Sequence, residues 1–193
     1  MIKKIFLASN SPRRGELLSQ INIEYERIAA DIDETKQATE TSKQYVQRLA
    51  LEKAVAGWEN NNKQGLVLGA DTIVVCQEVV MEKPKDKQHA RQMMILLSAN
   101  THQVFTAVAI VSEQKKAVKL VVTEVTFKAL TEQEISDYWD TGEPQDKAGG
   151  YGIQGIAGQF VTHISGSYSA VVGLPLYETA QLIESFKGTQ HVC

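Results

Sequence analysis

An α/β protein with a mixed sheet is what this sequence predicts, on three observations. Short β-branched runs alternate with segments whose apolar residues recur at helical spacing. Some successive apolar runs are separated by a whole helix, as parallel crossovers require. Others are separated only by Gln77-Glu78 or Gln114-Lys115-Lys116, which reads as antiparallel hairpins.

The first strand, Ile5–Ala8, runs through Ser9 and Asn10 into a helix. Ser11 is a suitable N-cap, and Pro12 fits the first helical position because its missing N–H costs nothing there. Arg13 and Arg14 follow in the first turn, where the helix dipole disfavours cations. Either they are solvated, or hydroxyls, free N–H groups and guanidinium forks together make an anion cradle. Ile21–Ala29 alternates as a strand with one wetter face and is followed by Asp31, Asp33 and Glu34. Thr41 or Ser42 caps a helix running to about Asn60, with Val46, Leu49, Ala50, Ala54, Gly57 and Trp58 as its apolar stripe. Lys53 falls inside that stripe, so it must snorkel outward or meet an anion.

Leu66–Ala70 reads as a buried central strand, interrupted by Asp71 and Thr72 before Ile73–Cys76 resumes it. Asp71 either caps a turn or bulge, or sits in an apolar run, where it must be paired, hydrogen-bonded or metal-bound. A hairpin at Gln77-Glu78 leads to Val79–Met81 and then to Lys83-Pro84. Asp86 caps a helix to about Leu97, in which Met93 and Met94 are core filler. Val104–Val111 and Val118–Phe127 form the second hairpin. Thr131 and Glu134 make a capping box for a helix to Trp139, stopped by Gly142. The glycine-rich stretch Glu143–Gly155 is either a linker or a place where backbone approaches a ligand closely. Its bulky and charged members, Asp146, Lys147, Tyr151 and Ile153, favour the second reading. Phe160–Ile164 is a strand, Gly166–Gly173 a loop, and Pro175 opens a last helix ending near Gly188. His102 and His163 have no partner histidine at ligand spacing and read as structural.

Composition narrows the function. The 193 residues carry 43% hydrophobic and 22% charged side chains, ordinary for one globular domain spanning 1–193. A net charge of −3 argues against a general nucleic-acid or polybasic membrane binder. No apolar run is long enough to span a bilayer, and the basic start is interrupted too soon for a secretory signal. Cys76 and Cys193 give neither a disulfide framework nor a metal spacing, so the default compartment is the cytoplasm.

The residues that fight their local context are Arg13, Arg14, Lys53, Lys83, Lys147, Asp71 and Glu34. Cations outnumbering carboxylates suit a polyphosphate, with the acids holding a hard divalent ion or activating water. No GxxxxGK[ST] loop is present, and no GxGxxG follows a strand.

Four blocks carry a family resemblance: Ser9-x-Ser11-Pro12-Arg13-Arg14, Gly69-Ala70-Asp71-Thr72-Ile73-Val74, Glu82-Lys83-Pro84 and Asp146-Lys147-Ala148-Gly149-x-Tyr151-Gly152-Ile153-Gln154-Gly155. In this order they resemble the signature of the Maf nucleotide pyrophosphatases, and Gly152-Ile153-Gln154-Gly155 resembles the subgroup acting on dTTP and UTP. The resemblance implies an elongated mixed β-sheet with flanking helices, forming two lobes around a deep cleft as in the inosine-triphosphate pyrophosphatases. It implies Asp71 as proton acceptor, and Arg13, Thr72 and Gln154 in substrate choice. Ser9, Arg14, Lys53, Lys83 and Lys147 would line the substrate site, and Glu34 with Asp71 would hold a divalent metal, magnesium or manganese. The partner would be a nucleoside triphosphate rather than nucleic acid or membrane, and edge strands are compatible with a homodimer. A modified purine such as 7-methyl-GTP as substrate, or a nucleotide-binding regulator of septum formation, are the competing readings. One departure is visible: Ala99 stands where the family usually has glycine, between Ser98 and the Thr101-His102 pair.

Overall fold

The structure is a computed structural model and describes residues 4–187; Met1–Lys3, Gly188 and Cys193 lie outside the described residues. Seven strands form one mixed sheet, in the order β2 (Glu24–Arg27), β1 (Lys4–Ala8), β3 (Val67–Cys76), β5 (Thr101–Val111), β6 (Lys116–Phe127), β7 (Val161–Ser165), with β4 (Val79–Met81) paired to β3. Among the described residues, no helix is long and apolar enough to cross a membrane. The chain divides into two compact units.

The first unit comprises described residues 4–71, 106–121 and 173–187. β1 (Lys4–Ala8) pairs in parallel with β2 (Glu24–Arg27) on one side and with the start of β3 (Val67–Cys76) on the other. Between β1 and β2 lies α1 (Pro12–Gln20), which begins at the expected proline. Ser11 occupies the N-cap position, yet its side chain makes no capping bond. β2 is shorter than its alternation predicts because Ile21–Ile23 is taken up in closing α1, with Asn22 at φ 56°. α2 (Ser42–Asn60) starts on a full capping box between Thr41 and Gln44. Its stripe residues Val46, Leu49, Ala50 and Ala54 are buried with Ile5, Leu7, Val67 and Leu68. α6 (Leu176–Lys187) contributes buried Leu182, Ile183 and Phe186.

The sheet spacing under α2 has a definite cause. A Cβ on Gly69 would lie 2.5 Å from both the Ala50 carbonyl oxygen and the Ala54 nitrogen. Helix backbone therefore rests directly on strand backbone, which no residue larger than glycine permits.

The second unit comprises residues 72–105 and 122–172. β3 continues unbroken through Asp71 and Thr72, so the interruption read from the sequence is not a turn or a bulge. Gln77 and Glu78, at φ 48° and 66°, turn β3 into antiparallel β4 (Val79–Met81). That is the left-handed pair a two-residue hairpin needs, here without glycine. α3 (Lys87–Leu97) is capped by Asp86, and Met93 and Met94 are buried in the core as expected. β5 (Thr101–Val111) and β6 (Lys116–Phe127) each contribute one end to this unit; the tight turn between them, closed by Ser112 N–H on the Lys115 carbonyl, belongs to the first. α4 (Glu132–Asp140) carries the Thr131–Glu134 capping box, and Gly142 follows it at φ 77°. β7 (Val161–Ser165) pairs antiparallel with β6. The segment Gly166–Gly173 is not all loop: Tyr168–Val172 forms α5, started by Ser167 Oγ accepting from Ala170 N–H. Five residues carry too little periodicity to be read as a helix.

Candidate active site

The first unit gathers five of the ten expected residues, Ser9, Arg14, Glu34, Lys53 and Asp71, into one polar network. Ser9, at the end of β1, is buried. Its Oγ accepts from Arg14 Nη1 at 2.9 Å and from the Ser11 N–H at 3.2 Å. Arg14 Nε donates to the Gly173 carbonyl at 2.9 Å, so the guanidinium is held by acceptors from two separate parts of the chain. Burial lowers the Arg14 pKa from its ordinary value, Asp71 opposes that, and neighbouring Arg13 adds to it. Arg13 itself is half-buried.

Lys53 resolves the choice posed by its place on the apolar stripe of α2. It does not snorkel. Its ammonium donates to Asp71 Oδ1 at 2.7 Å and pairs with Glu34 Oε1 at 2.8 Å. The side chains of Lys53 and Asp71 are only 12% and 9% exposed, whereas Glu34 is 58% exposed. Burial pushes the Asp71 carboxyl above its ordinary pKa, against the pull of Lys53 and Arg14, with Glu34 pushing further upward. A carboxylate kept basic by burial yet still steadied by cations is suited to accept a proton. Thr72 is next on β3, half-buried, with its side chain on the opposite face of the strand.

Glu34 sits on the irregular segment between β2 and α2, which is fastened by residues that sequence reasoning missed. Tyr45 Oη donates to the Glu34 carbonyl at 2.7 Å. Arg48 donates to the Thr35 carbonyl and forks onto the Glu40 carboxylate at 2.8 and 3.0 Å. The only sequence signal was an arginine on α2 with Glu52 four residues on.

In the second unit, Lys83 is exposed and has no ion pair among the described residues. It lies between Glu82, whose carbonyl accepts the Gly149 N–H, and Pro84, which faces Gly150. Lys147 donates to the Glu143 carbonyl at 2.8 Å and to Asp146 Oδ1 at 2.7 Å. Gln154 is exposed in the tight turn Gly152–Gly155, closed by the Gly155 N–H on the Gly152 carbonyl. The glycines here serve internal packing: a Cβ on Gly149 would strike Val74, on Gly152 Lys147, and on Gly155 Glu143. His102 is a buried core residue whose Nε2 lies 2.8 Å from Tyr151 Oη, and His163 is exposed on β7. Neither belongs to the polar network described above.

Ser9, Arg14, Glu34, Lys53 and Asp71 are thus brought together, with Arg13 and Thr72 beside them in the chain. Lys147 and Gln154 share the Glu143-bound segment. No group of three His, Cys, Asp or Glu residues able to hold a metal occurs among the described residues. Glu34 and Asp71 nevertheless converge on one positive charge, and two carboxylates completed by ligand oxygens fit a hard divalent ion.

A mixed α/β sheet with a buried carboxylate flanked by fixed cations defines a class of acid–base site built for anionic ligands. The family model described as "Maf-like protein" matches residues 4–186, so the chain belongs to the Maf family. A "dTTP/UTP pyrophosphatase" of Pseudoalteromonas atlantica is 56% identical over 192 residues, covering 98% of this chain and 100% of that protein. Another protein of that name, from Photobacterium profundum, is 51% identical over 189 residues, covering 95% and 96%. A solved structure titled nucleoside-triphosphatase / dITP/XTP pyrophosphatase, from Mycobacterium abscessus, matches with a TM-score of 0.44. It is 18% identical and covers 64% of this chain and 74% of that one.

Proposed function

We propose that this chain is a nucleoside triphosphate pyrophosphatase that converts dTTP and UTP to the nucleoside monophosphate and pyrophosphate. Its support is full-length similarity to relatives carrying that name, together with the site chemistry. The observation that carries the mechanism is the buried Asp71 carboxylate held 2.7 Å from Lys53.

In this reading Asp71 takes a proton from water as the water oxygen attacks the α-phosphorus. The α–β bridging P–O bond breaks and pyrophosphate leaves. Arg13, Arg14, Lys53, Lys83 and Lys147 balance phosphate charge, and Ser9 holds Arg14 in place. Catalysis is then positioning plus electrostatic stabilisation. Glu34 and Asp71 would hold magnesium or manganese, whose chemistry when bound is to neutralise phosphate oxygens. Thr72 and Gln154 serve substrate choice, and an amide offers both a donor and an acceptor to a pyrimidine edge. The enzyme is proposed to act in the cytoplasm, as a homodimer, on free nucleotides rather than on nucleic acid or membrane.

The test is pyrophosphate release from a panel of nucleoside triphosphates, using the wild type and Asp71→Asn. Turnover of dTTP and UTP, with kcat reduced about 10²–10⁴-fold in the variant and KM preserved, is expected. Orthophosphate as product would move the attack off the α-phosphorus. Preference for 7-methyl-GTP would place the chain in another subgroup. Binding without turnover would favour the septum-regulating role.

A further inference from the structure

The segment bearing Gln154 lies between two short 3₁₀ helices, Ala148–Gly150 and Ile156–Phe160, and a single carboxylate binds the start of the second. Glu143 lies just after α4, half-buried, at the start of a single 3₁₀ turn, Glu143–Asp146. Its Oε2 accepts the Ile156 N–H at 2.8 Å, and its Oε1 accepts the Ala157 N–H at 3.3 Å. Oε1 also accepts from Tyr138 Oη at 2.9 Å, and that same phenol oxygen accepts the Gly152 N–H at 3.2 Å. The Glu143 side chain therefore binds the backbone two and three residues after Gln154 and, through Tyr138, the backbone two residues before it.

The glycines agree with this. A Cβ on Gly155 would collide with the Glu143 carboxylate, and one on Gly152 would lie 2.7 Å from Lys147 Cε and 3.3 Å from Glu143 Oε1. Both ends of the turn are thus shaped to let the carboxylate in. The Glu143 main-chain carbonyl meanwhile receives the Lys147 ammonium. Tyr138 is buried, and its phenol is pushed far above its ordinary pKa, first by burial and next by Glu143, so it stays a donor. All of these groups lie within the second unit.

We propose that Glu143 is a positioning residue for substrate selection: its carboxylate fixes the Gly152–Gly155 turn and thereby the amide of Gln154 that meets the base. This rests on the reading of Gln154 given above. Gln154 is exposed, with Ile153 packed against the core on one side of it and bare Gly155 on the other, so its direction depends on how firmly the Gly155 end of the turn is pinned. Charge-assisted bonds to backbone N–H groups are stronger than neutral ones, which suits a carboxylate to the task.

The experiment compares dTTP with methyl triphosphate, which has the same anhydride but no base, in wild type, Glu143→Gln, Tyr138→Phe and Gln154→Ala. An amide at 143 keeps one acceptor and loses the other. Phenylalanine at 138 removes the link to Gly152 together with the phenol's own bond to Glu143, leaving the bonds to Ile156 and Ala157 in place, and thermal melts check that each variant folds. For Glu143→Gln, kcat/KM for dTTP is expected to fall about 10–100-fold, mainly through KM, with methyl triphosphate within about twofold of wild type. Tyr138→Phe should shift in the same direction by less, and Gln154→Ala should reproduce the loss. Equal losses on both substrates, or no loss on either, would overturn the proposal and leave Glu143 a purely structural group. If Gln154→Ala leaves the dTTP-to-methyl-triphosphate ratio at the wild-type value, the reading of Gln154 as base contact fails instead, whatever Glu143→Gln does.

Discussion

The Lys53 ammonium lies 2.7 Å from Asp71 Oδ1, and the same nitrogen lies 2.8 Å from Glu34 Oε1. One cation from a helix therefore steadies a buried acid and an exposed one at once. The two acids feel each other in opposite sense to the way each feels Lys53.

That arrangement predicts the acid side of the pH–rate profile. The base must be ionised to work, and the Asp71 pKa stands above its ordinary value. Activity should therefore fall with acid at a higher pH than an exposed aspartate would give. Lys53→Met removes a group that lowers the Asp71 pKa, so the acid limb should move to still higher pH. Glu34→Gln removes one that raises it, so the limb should move lower. Measuring log kcat/KM against pH for both variants checks the signs. Shifts in the same direction would contradict a shared network.

Gly69 should tolerate no side chain. A methyl there meets backbone atoms of Ala50 and Ala54 at 2.5 Å, so α2 must lift and carry Lys53 away from Asp71. Gly69→Ala should destabilise the protein by about 1–3 kcal/mol in urea denaturation and lower kcat besides. Full activity with unchanged stability would show that the helix can slide.

Ala99 sits at φ 55°, in the left-handed region where a β-carbon is strained. Glycine, which carries no β-carbon, takes this conformation without strain. Ala99→Gly should stabilise the fold by about 0.5–1 kcal/mol, since relief of strain outweighs the greater freedom of glycine in the unfolded chain. A thermal midpoint raised by about 1–4 °C would show it.

His102 is buried against Phe127 and Tyr151, and burial lowers its pKa to about 4. A histidine kept neutral in the fold stabilises fully above its unfolded pKa and loses that contribution as pH falls through about 6.5 to 4. The loss amounts to about 3 kcal/mol if the residue remains buried. His102→Gln, which cannot take up this proton, should flatten that part of the stability–pH curve. Chemical denaturation at several pH values between about 4 and 7 measures it.

The sequence made some of this legible and hid the rest for physical reasons. Helix caps are local patterns: the Thr131–Glu134 box formed where it was read, and of the two caps offered for α2, Thr41 and Ser42, Thr41 took the place, with Gln44 completing a box that was not read. Lys53 and Asp71 stood out because each put a charge on an apolar surface, and that misfit was resolved by pairing them. Local reading could not show which two misfits belong together, since helix and strand meet only in the folded chain. Glu143 gave no misfit at all, being an acid in a polar, glycine-rich stretch whose partners Ile156 and Ala157 lie thirteen and fourteen residues on. Nor could composition reveal whether glycines make room for a ligand or for the protein's own side chains. Gly149, Gly152 and Gly155 do the latter.

Because main chain touches main chain at Gly69, the gap between helix and strand there is set by peptide dimensions and not by whichever side chains fill the surrounding interior. Neighbouring hydrophobic positions, such as Leu49 or Leu68, can then be exchanged for others of like volume without altering how far the ammonium must reach. An engineer seeking a hardier version of this molecule has the greasy interior to redesign, provided that one bare α-carbon is left alone.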